Sequence, residues 1–310
     1  MGRVRVVAPA TSANLGAGFD VFGLALDRPA DVLVVEEIEA GVEMVVEGFP
    51  VPETPEANVA GYVAKRLAEN AGAGVRVELR KGVPPGSGLG SSAASAVASA
   101  AGVAVLLGLE VSMEELLGVC AEAEGVASGA PHADNAAACL YGGFVCVGEG
   151  MRVLRVEPPE WLEWGVVLPE VRVETREARR ALPERVPLDV HVHSLGSVVM
   201  MVAGMMRGDR ELVRLGMRDR FATPVRRRWI PRFEEVVRAG VEAGALGVTV
   251  SGSGPACIAL CSGDVCSGEE VAEAMGEVYS EEGVECRCFW GKPGGGVEVE
   301  GRRLSNILKG

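Results

Sequence analysis

The chain has 310 residues, 48% of them hydrophobic, a formal charge of −13 and little aromatic mass, at 5%. That length allows two domains of ordinary size and that apolar content excludes disorder, while acids spread along the chain argue against a general nucleic-acid or anionic-membrane surface. Eight cysteines form no Cys-x-x-Cys pair, no apolar run approaches the ~18 residues of a membrane span, and the first ten residues hold no signal core, so reduced thiols in a cytoplasmic protein are expected.

In chain order, residues 3–7 read as a strand, and 31–38 and 42–47 as two more joined by a turn at Gly41. Val59, Val63 and Leu67 recur at helical spacing within 57–71, and residues 75–79 alternate apolar and charged side chains as a half-buried strand does. A glycine-rich loop follows, Pro84-Pro85-Gly86-Ser87-Gly88-Leu89-Gly90-Ser91-Ser92, and then a small-residue run over 93–107 that should form a tightly packed helix. Ser112-Met113-Glu114-Glu115 is a capping box opening a further helix that ends near residue 127. Residues 140–147 and 153–156 read as strands, and Pro158-Pro159 marks the boundary between domains over 1–160 and 161–310. Beyond it the pattern predicts a strand over 164–168, a short helix over 174–182, a helical region over 187–217 and, after Pro231, a helix to residue 243. It closes as strand (246–251), glycine turn, strand (256–261), helix (268–279) and strand (284–290). Strands alternating with helices in both halves give a two-domain α/β or α+β chain.

The glycine loop is the first segment with chemical content. Between a strand and a helix, a loop without side-chain bulk lets backbone N–H groups converge on an anion at the helix N-terminus, and phosphate is the natural guest. It lacks the Gly-Lys-Ser/Thr of a Walker A loop and the last glycine of the dinucleotide fingerprint.

Residues 84–93 do match, without a gap, the string Pro-x-x-x-Gly-Leu-Gly-Ser-Ser-Ala, and here the chain resembles the GHMP kinases. Two more segments agree in order and spacing: residues 9–20, Pro-Ala-Thr-Ser-Ala-Asn-Leu-Gly-Ala-Gly-Phe-Asp, and Thr249-Val250-Ser251-Gly252-Ser253-Gly254-Pro255. A fourth segment, Glu124 to Asn135 with its His132-Ala133-Asp134-Asn135 ending, is similar to the homoserine kinase branch. The resemblance implies an α+β fold: an N-terminal domain like the second domain of ribosomal protein S5, with a left-handed crossover, and a ferredoxin-like C-terminal domain. It also implies transfer of the γ-phosphate of ATP to the hydroxyl of homoserine, with Mg²⁺, for threonine synthesis.

In that reading the backbone of Pro84 to Ser92 binds ATP, and Gly252, Ser253 and Gly254 support the loop. Glu124 and Ser92 hold the metal; a solvated helix residue is the plain alternative for Glu124. The substrate carboxylate meets Arg179 and Arg226, with Arg227 and Arg228 leaving the register open. Asn14, Asp20, His132 and Asp134 hold the ammonium and the hydroxyl-bearing end. Asn135 stands where other GHMP kinases carry an aspartate base, so this branch works by positioning and electrostatics, with any catalytic part of Asp20 open. Relatives of this kind are commonly dimers, which implies a homodimer. The rival readings are another GHMP small-molecule kinase, for mevalonate or shikimate, and a ligand sensor that has lost catalysis.

Overall fold

The computed structural model describes residues 2–128, 132–171, 173 and 175–308. The N-terminal half is laid out as β1 (Arg3–Asn14), β2 (Gly18–Ile38), β3 (Val42–Gly48), α1 (Val59–Ala71), β4 (Gly74–Lys81), α2 (Ser91–Leu106), α3 (Met113–Ser128), α4 (Asp134–Tyr141), β5 (Phe144–Val147) and β6 (Val153–Val156). The remainder runs β7 (Leu162–Pro169), α5 (Thr175–Arg180), α6 (Leu188–Arg207), α7 (Arg210–Gly216), α8 (Thr223–Arg226), α9 (Phe233–Glu242), β8 (Gly247–Val250), β9 (Cys257–Ser262), α10 (Gly268–Ser280) and β10 (Cys286–Gly291), and ends in β11 (Glu298–Val299) and β12 (Arg302–Arg303).

The first sheet has the order β12-β11-β1-β2-β4-β3. β2 is long enough to serve two neighbours: its outer half pairs with β4 from Val32↔Arg80 to Ile38↔Gly74, and its inner half pairs with β5 at Phe22↔Cys146. β3 and β4 are parallel across the α1 crossover. The helix α2 is buried from Ala93 to Ala104 because its side chains there are Ala, Ser and Val, with Gly102. A Cβ on Gly102 would lie only 3.0 Å from Val35 and 3.1 Å from Val6, so small residues set how closely the helix approaches the sheet. The second sheet is antiparallel in the order β10-β7-β9-β8. Counted along the chain that is 4-1-3-2, the ferredoxin-like arrangement, with the α5 to α9 region inserted in the first crossover.

Several details differ from the sequence expectations. Residues 140–147 do not form one strand: Asp134, Ala136, Ala137 and Ala138 start α4, which Gly142 stops with φ 72°, and β5 begins at Phe144. The helical region 187–217 is two helices, since Gly208 ends α6 in the left-handed region and the Asp209 side chain accepts from Leu212 N to open α7. That break leaves α6 as a 20-residue helix which, by length and composition alone, is long and apolar enough to cross a membrane, contrary to the expectation of no such run. The strands expected at 3–7 and 31–38 extend through residues 8–14 and 18–30, so most of the first motif rides on β1 and β2. β11 and β12 carry the end of the chain back to β1 of the first sheet. Residues 129–131, within the Glu124 to Asn135 motif, and residue 174, where a helix was expected to start, lie outside the described residues.

Candidate active site

The loop between β4 and α2 meets the other two glycine motifs at a cleft between the two sheets. Gly86, Gly88 and Gly90 sit at φ 67°, 81° and 66°, which only glycine adopts without strain. Space is as restrictive as conformation: a Cβ on Gly88 would lie 2.3 Å from Ser251 O, and one on Gly90 1.9 Å from Thr11 Oγ1. Cross-links hold the three segments together. Ser251 Oγ lies 2.8 Å from both Ser12 Oγ and Gly88 O, Ala256 N donates to Ser87 O at 3.1 Å, and Gly252 N donates to Ala13 O at 3.2 Å. Gly90→Ala should therefore displace Thr11 as well as strain the backbone; we expect a stability loss of about 1–3 kcal/mol in chemical denaturation, together with a weaker apparent affinity for ATP.

Beneath the loop lies a buried polar network. Asp31 accepts from Gly82 N and Val83 N, each at 2.9 Å, from Ser95 Oγ at 2.7 Å and from Lys81 Nζ. Lys81 Nζ also donates to Ser91 O at 2.9 Å, in the first turn of α2. Burial pulls the Lys81 pKa down while the Asp31 carboxylate opposes it. With both partners buried and the carboxylate oxygens shared among several donors, this pair fixes the loop to the sheet and to the helix that continues it.

At the other end of the cleft the chain makes a polar pocket. Asn14, Leu15 and Asp20 all have positive φ, of 73°, 43° and 57°, a concentration of strained backbone typical of a working site. Asn14 bridges the motifs, accepting from Asp20 N at 3.1 Å and donating to Gly252 O at 3.0 Å. The Asp20 carboxylate accepts from both terminal nitrogens of Arg179, at 3.1 and 2.8 Å. His132 Nδ1 lies 3.3 Å from the same guanidinium and 3.5 Å from Asp20 Oδ1. Arg226 is buried, donates to Gly252 O, and faces the Phe19 ring at 5.2 Å, with Arg179 on the same ring at 5.5 Å. Phe19 is itself held edge-on by Phe221 at 5.1 Å.

Between the two ends stand Glu124, Asp134 and Asn135. Burial, followed by the nearby Asp134 charge, pushes the Glu124 carboxyl up to about 7, against the pull of Lys81. Burial likewise raises Asp134 to about 6, partly offset by the Asn135 N–H, which donates to its carboxylate at 2.8 Å. His132 is lowered, mainly by burial, and so is Arg226. Thr11 Oγ1 donates to Asn135 Oδ1 at 2.8 Å, which turns the amide nitrogen of Asn135 the other way.

Most of the residues singled out in the sequence line this one cleft, of about 120 Å³: Asn14 and Asp20, the loop residues Gly86, Ser87, Gly88, Gly90, Ser91 and Ser92, then Glu124, His132, Asp134, Asn135, Arg179, Arg226, Gly252 and Ser253. Pro84 and Pro85 instead line a neighbouring cavity of about 360 Å³ with Phe49 and Arg287. Gly86 and Ser87 border both. Leu89 faces away from the cleft: its side chain is buried, its N–H donates to Ser87 Oγ at 3.2 Å and its carbonyl accepts from Thr11 N at 3.0 Å. Gly254 packs against Val250 and Ile230 behind the turn. Of the three consecutive arginines, Arg226 lines the cleft, whereas Arg227 pairs with Glu234 at the surface and Arg228 lies over Trp229.

Sequence reading passed over Thr11, Ser12, Phe19, Asp31, Lys81 and Ser251, the residues that hold the cleft's parts in place. The first three sit inside a recognised motif, where their spacing on a strand could have assigned them to the cleft. For Lys81 the signal was a lysine two residues before an apolar residue and the proline of the loop; Asp31 gave none.

The described residues hold no group of three or more His, Cys, Asp or Glu suited to a metal, so any cation here rests on few protein ligands. A carboxyl at Glu124 and a hydroxyl at Ser92 are hard oxygen donors that fit Mg²⁺, which keeps several waters, and a cation would lower the raised Glu124 pKa.

Comparison with known proteins agrees with this geometry from both halves. Residues 58–143 match the GHMP kinases N-terminal domain, and residues 201–281 the GHMP kinases C-terminal domain. The chain is 44% identical to homoserine kinase of Natronomonas pharaonis over 299 residues, 96% of this chain and 99% of that one. It is 44% identical to homoserine kinase of Pyrococcus abyssi over 298 residues, 95% of this chain and 98% of that one. The crystal structure of homoserine kinase from Cytophaga hutchinsonii superposes with a TM-score of 0.90 at 35% identity, covering 96% of this chain and 98% of that one. The mevalonate kinase of L. major, at 15% identity and a TM-score of 0.70, shares the fold. The chain therefore belongs to the GHMP kinases, and within them to the homoserine kinase family of ATP-dependent enzymes that phosphorylate a hydroxyl group.

Proposed function

We propose that the cleft transfers the γ-phosphate of ATP to the hydroxyl of L-homoserine, giving O-phospho-L-homoserine for threonine biosynthesis in the cytoplasm. The observation that carries this reading is the Asp20–Arg179 pair, with Arg226 behind it, at the end of the cleft opposite the glycine loop. An amino acid is a zwitterion. Its ammonium can take the place of Arg179 on Asp20 while its carboxylate takes the place of Asp20 on Arg179 and Arg226, so no charge is left uncompensated. A polyol or a hydroxy acid without an ammonium satisfies only part of that set.

The phosphates lie along Gly86 to Ser92, where amide groups and the N-terminus of α2 supply partial positive charge. The base extends toward the cavity of Pro84, Pro85 and Phe49, which the loop residues Gly86 and Ser87 join to the cleft. Glu124 and Ser92 would hold Mg²⁺, which when bound neutralises charge on the phosphate oxygens. Asn14, His132 and Asp134 orient the hydroxyl-bearing end of the substrate. Asn135, its oxygen engaged by Thr11, offers an N–H toward the reacting region and cannot accept a proton at neutral pH. The residues therefore act by alignment and charge stabilisation, and the hydroxyl proton leaves by way of the phosphate or solvent.

Coupled detection of ADP tests the reading directly. With ATP and Mg²⁺, homoserine should support turnover at least ~10-fold faster than mevalonate or shikimate. Equal turnover of an acceptor lacking the ammonium would overturn the amino-acid assignment, and ATP binding without turnover of any acceptor would favour the sensor.

A further inference from the structure

The two arginines at the acceptor end of the cleft share one aromatic ring, and from this we infer that Phe19 is a positioning residue for the substrate carboxylate: its ring holds both guanidiniums without competing for their N–H groups. The inference deepens the amino-acid reading of the cleft and rests on it.

Three segments meet at this ring. Phe19 stands at the start of β2, Arg179 comes from α5 and Arg226 from α8. The guanidinium carbons lie over the ring at 5.5 and 5.2 Å from its centroid, within the range in which a cation is drawn to an aromatic quadrupole. Phe221 meets the same ring at 84°, from a stretch that the Asp219 carboxylate ties down by accepting from Phe221 N at 2.7 Å and Thr223 N at 2.6 Å. Phe221 and Arg226 thus reach Phe19 from one short piece of chain. Phe19 is not among the residues lining the cleft, so it acts on an acceptor through the arginines.

The backbone makes this possible. Successive side chains on a strand point to opposite faces. Here Asp20 has φ 57° and donates its N–H to Asn14 Oδ1, which breaks the alternation. Neighbours in sequence therefore grip one guanidinium: Asp20 takes N–H groups of Arg179 at 3.1 and 2.8 Å, while Phe19 offers it the ring.

No other kind of side chain would serve as well. Burial is the main cause that lowers the Arg226 pKa, and the Arg179 charge acts in the same direction, so the two cations repel. Arg226 Nε is also buried without a hydrogen-bond partner among the described residues. An aliphatic residue at position 19 would leave that charge uncompensated, and a second carboxylate would take the donors that the substrate needs. An aromatic ring attracts both cations and leaves their hydrogen-bonding capacity for the ligand. When the substrate ammonium displaces Arg179 from Asp20, the ring contact survives the exchange and keeps the freed guanidinium beside Arg226.

Steady-state kinetics with ATP and Mg²⁺ test the role. Phe19→Leu should raise KM for homoserine roughly 5- to 50-fold and change kcat and KM for ATP by less than ~3-fold. Phe19→Tyr, which keeps the ring, should stay within ~3-fold of wild type. Replacing Phe19 with mono-, di- and trifluorinated phenylalanines keeps the shape while draining the negative face of the ring, so KM should climb with each fluorine. Homoserine amide, which has no carboxylate, should be a weak acceptor whose KM none of these changes moves. A KM for homoserine unmoved by Phe19→Leu, or flat across the fluorinated series, overturns the inference and leaves the substrate reading standing. Equal effects on homoserine and its amide overturn it as well, since the ring would then act on the fold. A wild type that turns over no homoserine overturns the substrate reading and this inference with it, a failure seen before any variant is made. If Phe19→Leu does not fold, the fluorinated series, which preserves packing, decides alone.

Discussion

Arg226→Ala should lower kcat/KM for homoserine by roughly 30- to 1,000-fold, about 2–4 kcal/mol, and leave the apparent affinity for ATP almost unchanged. The guanidinium is buried, stacked on Phe19 and hydrogen bonded to Gly252 O. It is also among the charges that hold down the Asp134 pKa. Its removal takes away a fork matched to a carboxylate and leaves Asp20 and Asp134 with less compensation. Arg226→Lys keeps the charge but cannot stack and reach Gly252 O in the same way, so it should recover only part of the loss. Arg227→Ala and Arg228→Ala, which disturb a surface ion pair and a surface stacking contact, should change kcat/KM by less than ~3-fold. If instead Arg227→Ala is crippling while Arg226→Ala is silent, the carboxylate site has been placed on the wrong residue.

The contrast between these arginines shows what could be read from the sequence. Three identical side chains in a row carry no intrinsic label, and only the short helix α8 followed by a single turn at 227–229 turns the first inward and the next two outward. The glycine loop was legible because its requirements are local: positive φ at three glycines, and no room for a Cβ at Gly88 and Gly90, are written in the residue type itself. The strand and helix alternation of the second domain was legible for the same reason, since each element's period is a property of its own segment. What bends one strand was not. β2 reads outwardly as an ordinary strand at 31–38, yet its first half is specified by pairing with β5, more than a hundred residues away. The buried Asp31–Lys81 pair was hidden likewise, because a charged residue beside a strand end is normally solvated and only the packing of α2 over it removes the water. The Phe19 ring between two arginines belongs to this group too, its partners being contributed from residues 179 and 226.

Glu124→Gln should reduce turnover by roughly 10²-fold or more and at the same time stabilise the protein at alkaline pH. The loss of turnover follows from removing the carboxylate proposed to anchor Mg²⁺ beside the phosphates. The gain follows from burial. The Glu124 carboxyl is raised to about 7 in the folded protein, chiefly by desolvation and next by Asp134, from an ordinary value of 4.5. A carboxyl whose pKa is raised on folding binds its proton more tightly in the folded state. Its contribution is therefore most favourable below about 4.5, falls as pH rises from there to about 7, and is a constant penalty above that. The penalty is on the order of 1–3 kcal/mol, and glutamine, which cannot ionise, does not incur it. Between pH 5 and pH 8 the difference in melting temperature, variant minus wild type, should thus grow by ~2–8 °C in metal-free buffer. Adding Mg²⁺ with ATP should reverse the order at pH 8, because a cation beside an ionised Glu124 stabilises the wild type and finds no carboxylate in the variant. Near-wild-type turnover in low Mg²⁺ would remove Glu124 from the metal site. A melting difference that does not change with pH would show that burial leaves its carboxyl unshifted.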